Sequence, residues 1–198
     1  MLKPDFYTRP AVIEIAHNLL GKVLYTCIKD QLTGGIIVET EAYSHTGDQA
    51  TQRHLERRPN SASMMFSQGG TAYIYRSHGH SMLNIVTNAE GTPDSVLIRA
   101  IEPVEGVEVM LLRRGLTSVS HRLCAGPGML TQALGITPEM NGVSLTLGQK
   151  IWIEDNGHGI DDAQVIVSPR VGIAYAGEDA LLPWRFRVAG SKWTSKAK

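Results

Sequence analysis

Apolar and polar positions switch between two periods along this chain, and the switches mark its elements. Val12, Ile15, Ala16, Leu19 and Leu20 recur at helical spacing, with Thr8 and Pro10 ahead of them as a start and Gly21 behind as a stop. Lys22 to Ile28 then reads as a strand, Asp30 to Gly35 as a turn, and Ile36 to Tyr43 as the second strand of a hairpin. Side chains of a strand alternate faces. Ile36, Val38, Thr40 and Ala42 therefore share a small or apolar face, and Ile37, Glu39, Glu41 and Tyr43 share the other. Two carboxylates on one face of a strand that otherwise looks buried are unexpected, because an unpaired buried carboxylate is costly. An active-site lip and a solvated edge strand both fit this stretch.

From Ser44 to Gly70 the chain is polar with little periodicity, and Met64, Met65 and Phe66 anchor its end. A loop this long in a compact domain is usually functional or disordered, and the apolar anchor argues for the former. Thr71 to Tyr75 is a strand with Tyr73 and Tyr75 on one face, Arg76 to His80 a tight turn, and Met82 to Thr87 a strand that carries the polar Asn84. Ser95 to Ile101 is a buried strand whose Arg99 needs a carboxylate or a ligand. Pro103-Val104-Glu105 and Gly126-Pro127-Gly128 read as helix openings, closed by Gly115 and Gly135. Val143 to Leu147, Lys150 to Glu154, Gln164 to Ser168 and Pro183 to Val188 are short strand candidates. Strands and helices do not alternate regularly. The expected class is α+β: a single domain over 1–198, with a mixed or antiparallel sheet, flanking helices and a long active-site loop.

Composition changes this picture little. An apolar fraction of 42% supports a sizeable core, and no run approaches the roughly 18–20 apolar residues of a membrane helix. Cys27 and Cys124 form no CxxC, and the N-terminus has no signal-peptide core, so a reduced intracellular setting is expected (cytoplasm or nucleoid if the host is bacterial). Net charge is zero, but a nucleic-acid ligand needs only a local basic patch, and after Asp179 the chain carries Arg185, Arg187, Lys192, Lys196 and Lys198 without an acid.

The stretch Val38-Glu39-Thr40-Glu41-Ala42-Tyr43 resembles the hallmark strand of the alkyladenine (3-methyladenine) DNA glycosylase family. The resemblance continues through Tyr73-Ile74-Tyr75, Asn84, Leu97 to Pro103, Cys124-Ala125-Gly126-Pro127, Arg170-Val171-Gly172 and Arg185-Phe186, in order. It implies a monofunctional enzyme that flips a damaged purine out of duplex DNA and hydrolyses its glycosidic bond without metal or cofactor, working as a monomer. It implies that Glu41 is the general base, and that Arg99 and the backbone carbonyl of Val171 help place the water. Tyr43 and Tyr75 would sandwich the base, with Tyr73 in support and Asn84 on the pocket floor. His78 would wedge into the duplex. Apart from the resemblance, the local basic residues Arg53, Arg57, Arg185 and Lys192, together with Gly126, are expected to meet the DNA backbone. The chemistry agrees, since a carboxylate can orient water and stabilise an oxocarbenium-like state, and stacked aromatics can hold an extruded base.

Three positions depart from the family pattern. Gln52 stands in the base pocket where the family has a His, with His54 two residues on as a substitute through a loop shift. His78 stands where the wedge is often Tyr, and Met129 where the family has a Lys. Two other readings use the same residues. One is a metal hydrolase drawn from His45, Asp48, His54, His78 and His80, which form no tight ligand motif. The other is a non-catalytic damage binder on the same fold, which would not need the base and cation that Glu41 and Arg99 supply.

Overall fold

The computed structural model describes residues 1–157 and 159–196, so the expectation at Lys198 lies outside the described residues. These residues form one α+β domain with a single eight-stranded sheet in which every pairing is antiparallel. The strands are β1 (Val23–Ile28), β2 (Gln31–Tyr43), β3 (Ala72–Ser77), β4 (His80–Thr87), β5 (Asp94–Glu105), β6 (Ile151–Glu154), β7 (Val165–Ser168) and β8 (Arg185–Val188). Helices α1 (Pro4–Thr8), α2 (Val12–Asn18), α3 (Gln49–Arg57), α4 (Val107–Arg114) and α5 (Pro127–Leu134) flank it. The sheet order is β3-β4-β5-β2-β1-β6. β2 is the hub: β5 runs along one edge, while on the other β1 pairs with the first half and β8 with Glu39, Thr40 and Glu41.

Several boundaries differ from the sequence expectation. The hairpin turn is only Lys29-Asp30, both at positive φ (52° and 59°), so β2 starts at Gln31 rather than after a turn ending at Gly35. Gly34 and Gly35 lie inside the strand because it passes close to its neighbours. A Cβ on Gly34 would stand 2.4 Å from the Tyr25 ring, and one on Gly35 2.8 Å from the Glu102 carbonyl. Pro103 and Glu105 stay in β5 opposite Gly35 and Gly34, and α4 opens only after Gly106, at φ 64°. Val143 to Leu147 forms no strand, only a single bridge from Ser144 to Thr71.

The polar stretch after Tyr43 is not an irregular loop. It holds α3 and a 3-10 turn at Ala62–Phe66. A short helix this polar has no broad apolar face to declare it. It is anchored by Asp48 as N-cap, accepting from the Ala50 N–H, and by the burial of Ala50 and Thr51.

Candidate active site

The site is built where β2 and β5 each carry an extra residue. Ile37 pairs with Ile101 and Glu39 with Ala100, so Val38 is extra on β2; Thr40 then pairs with Ile98, so Arg99 is extra on β5. The bulge changes the alternation. Ile37, expected on the glutamate face, joins Val38, Ala42, Ile98 and Ile101 in the main core. Thr40 stays on the core side and donates its hydroxyl to the Ala16 carbonyl. Bulges bend a strand and re-aim side chains, and here Arg99 reaches both glutamates: Nε to Glu39 Oε1 at 2.7 Å and Nη1 to Glu41 Oε1 at 3.3 Å.

Both glutamates are fully buried, and neither is left unpaired. Glu39 also accepts from Arg185 Nε (2.8 Å) and from the Ser195 N–H and hydroxyl (2.6 and 2.8 Å). Burial works to raise its carboxyl, but Arg99, the Ser195 N–H and Arg185 hold it below the usual range. Burial works to depress the Arg99 guanidinium, and Glu41 and Glu39 raise it above its ordinary value. Glu41 accepts from the Tyr43 hydroxyl on Oε2 and from the Val171 N–H on Oε1, each at 2.8 Å. The Val171 N–H thus fixes the carboxylate.

A second buried ion pair sets the Val171 segment. Arg170 grips Asp48 with both ends of its fork (2.7 and 2.8 Å) and donates to the Ala42 carbonyl. Its guanidinium lies 4.7 Å from the Tyr43 ring centroid and 5.0 Å from that of Trp184. One contact cluster therefore ties the start of α3, the end of β2 and the residue before Val171.

Above this layer opens a cavity of about 670 Å³, lined by Tyr43, Tyr73, Tyr75, His54, Asn84, Arg99 and Val171 among others. Glu41 lies directly behind Tyr43, Arg99 and Val171 rather than on the wall itself. Tyr73 and Tyr75 stack with centroids 5.3 Å apart. His54 stands edge-on to Tyr75 at 4.7 Å, its Nε2 2.7 Å from the Tyr73 hydroxyl oxygen. Burial, helped by Arg58, pushes the His54 imidazole down to about 4, so it is neutral at physiological pH. Burial pushes the Tyr75 phenol up to about 12. Asn84, opposite Tyr73 on β4, is 3% exposed and borders the cavity. His78, at φ 49° in the β3–β4 turn, is exposed at the rim. Arg57 and Arg58 line the same mouth, over the rings of Tyr175 (4.6 Å) and Tyr75 (4.9 Å).

Three expected site residues are placed otherwise. Gln52 is exposed on the outer face of α3, bonded to Gln49, while Thr51 and His54 face the cavity; the helix turns position 52 away. Arg185 is 2% exposed with its charge on Glu39, so it is a structural cation and cannot meet a phosphate. Gly126 is buried at the start of α5 with its N–H given to the Cys124 carbonyl, and the next residue, Pro127, reaches the cavity. Arg53 and Lys192 are exposed. The residues of the metal alternative are dispersed into other contacts: His45 bonds Asp94, and Asp48 is held by Arg170.

A family model described as methylpurine-DNA glycosylase matches residues 5–192. The chain belongs to the methylpurine-DNA glycosylase family. It is 40% identical over 198 residues to a protein of Methanocella arvoryzae, covering 99% of this chain and 96% of the relative. It is 43% identical over 188 residues to one of Chlamydia abortus (94% and 97%), and 44% over 200 residues to one of Chlorobaculum parvum (100% and 91%). Each of the three is named "Putative 3-methyladenine DNA glycosylase".

In this glycosylase-family chain, reading the sequence assigned no role to the Asp48–Arg170 pair, to Ser195 or to Tyr175. Asp48 carried a signal, since an Asp two residues before Ala50 in a polar stretch is an N-cap candidate. Ser195 carried none, because its partner lies 156 positions earlier.

Proposed function

We propose that the protein excises 3-methyladenine and related damaged purines, 7-methylguanine among them, from duplex DNA, with a water molecule activated by Glu41. The observation that carries this reading is the Glu41 carboxylate, fully buried behind an aromatic cavity and fixed by Tyr43, Val171 and Arg99. An ionised carboxylate offers about four acceptor sites. Among the described residues the two hydrogen bonds and the Arg99 approach take three, which leaves one on Oε2 for a water.

In this mechanism the flipped base enters beside Tyr43, Tyr73 and Tyr75. The C1′–N bond breaks and its electron pair leaves with the purine, which for a cationic alkylated base departs neutral. Water forms the new C1′–O bond and gives its proton to Glu41, whose charge also stabilises the oxocarbenium-like state. Arg99 keeps the carboxylate oriented. His54 contributes a ring to the wall where the family pattern expects one at position 52, so neutral lesions such as hypoxanthine and ethenoadenine fall within the expected range. His78 at the rim supplies the wedge, and Arg53, Arg57 and Lys192 the phosphate contacts. Among the described residues no helix is long and apolar enough to cross a membrane, and the proposed workplace is wherever the chromosome is.

The test is Glu41→Gln. It should keep lesion binding and lose about a hundredfold to ten-thousandfold of the single-turnover excision rate. Near wild-type excision by that variant rejects Glu41 as the base. Absence of excision by the wild type across a panel of single-lesion duplexes favours a damage binder instead.

A further inference from the structure

The ionic cluster behind the cavity is closed by the far end of the chain. After β8 the backbone turns back. Trp193 packs into the main core, and Ser195, 8% exposed, enters the Glu39–Arg99–Arg185 cluster. Its N–H donates to Glu39 Oε2 at 2.6 Å and its hydroxyl to Glu39 Oε1 at 2.8 Å. The same hydroxyl oxygen accepts from Arg99 Nη2 at 3.2 Å and from Arg185 Nη2 at 3.4 Å, and the Ser195 carbonyl accepts from Arg185 at 3.2 Å. One serine therefore touches three charged side chains.

The way it divides Arg99 matters for the chemistry. A guanidinium presents Nε and Nη2 along one edge, the edge that suits a carboxylate bidentately. Here Glu39 takes Nε and Ser195 takes Nη2, which leaves Nη1 for Glu41. Without the hydroxyl, Nη2 has no hydrogen-bond partner among the described residues, and an unpaired buried donor is costly. The guanidinium can relieve this by turning its full edge onto Glu39. Glu41 then loses the cation that orients it.

We propose that the C-terminal segment is part of the active site as a positioning element: Ser195 partitions Arg99 between Glu39 and Glu41 and so holds the general base in register. This rests on the reading of Glu41 as the base. Ser195 touches neither DNA nor water in this scheme; it acts through Arg99.

A double-mutant cycle tests it, on full-length protein with a 3-methyladenine-type duplex under single-turnover conditions. Ser195→Ala should lower excision about tenfold, since small displacements of a reacting group are expensive, while lesion-duplex Kd stays within about twofold. Ser195→Thr, which keeps the hydroxyl, should recover the rate. In an Arg99→Gln background the same Ser195→Ala change should have little further effect, because two residues acting through one contact are not additive. A wild-type rate for Ser195→Ala overturns the proposal. So does an equal fold-loss in both backgrounds, which would mean that Ser195 only supports the fold. Full activity of Glu41→Gln in the same assay would sink the base assignment and this inference with it. An inactive Glu41→Gln beside a fully active Ser195→Ala overturns this inference alone.

Discussion

Asp48→Asn is the most informative change to the scaffold of the site, because it separates charge from shape. Asn keeps an N-cap oxygen for Ala50, a contact typically worth about 1 kcal/mol. It removes the only carboxylate on Arg170 among the described residues, and Asp48 and Arg170 side chains are both fully buried. What remains for the guanidinium is that neutral amide oxygen, which Nη2 shares with Ala50, the Ala42 and Asp179 carbonyls, and the faces of Tyr43 and Trp184. Breaking a buried pair from one side costs about 3–5 kcal/mol. At about 2–4 °C per kcal/mol for a chain of this size, Tm should fall by about 6–20 °C. Arg170→Met alone strands Asp48 and should cost a similar amount. The double variant Asp48→Asn, Arg170→Met leaves no unpaired charge, so it should be clearly more stable than the sum of the two losses implies. Urea unfolding and thermal melts of the three variants measure this, with excision followed below the melting range. A Tm shift under about 2 °C for Asp48→Asn, or strict additivity in the double variant, would refute the idea that this pair fastens α3 and the Val171 segment to β2.

Three further outcomes are expected. Tyr43→Phe keeps the ring but loses the hydroxyl on Glu41 Oε2; hydrogen bonds to charged groups are worth about 1.5–3 kcal/mol, so single-turnover excision should drop about tenfold or more with lesion affinity retained. His54 titrates near 4 when folded against an ordinary 6.5, so the unfolded chain takes its proton first. Its contribution to stability is complete above pH 6.5 and is lost as pH falls towards 4, and denaturation midpoints over that range should fall less steeply in His54→Gln. For DNA binding, Arg53→Ala and Lys192→Ala should each flatten the slope of log K against log salt by about 0.9, whereas an Arg185 variant should show its effect in Tm, because that charge is buried on Glu39.

What the sequence alone determined is whatever is written in neighbouring residues. Period two exposed β2, β3, β4 and β5 and put Tyr73 and Tyr75 on one face, because alternation is a local steric property of an extended chain. Glu41, Tyr43, Asn84 and Arg99 were legible for the same reason: each is a polar or aromatic residue out of place in an apolar run. Tertiary structure decided the rest. Phase along β2 and β5 depends on bulges at Val38 and Arg99 that only strand pairing reveals. α3 lacks a strong apolar pattern and is held instead by Arg170, 122 positions away from Asp48. Arg185 reads as a surface cation in a basic tail, yet it is buried. Its counter-charge is Glu39, whose other partners come from 60 and 156 positions along the chain. Whether a charge is solvated or spent inside depends on which distant groups the fold brings within hydrogen-bond reach, and that information is absent from any local stretch of residues.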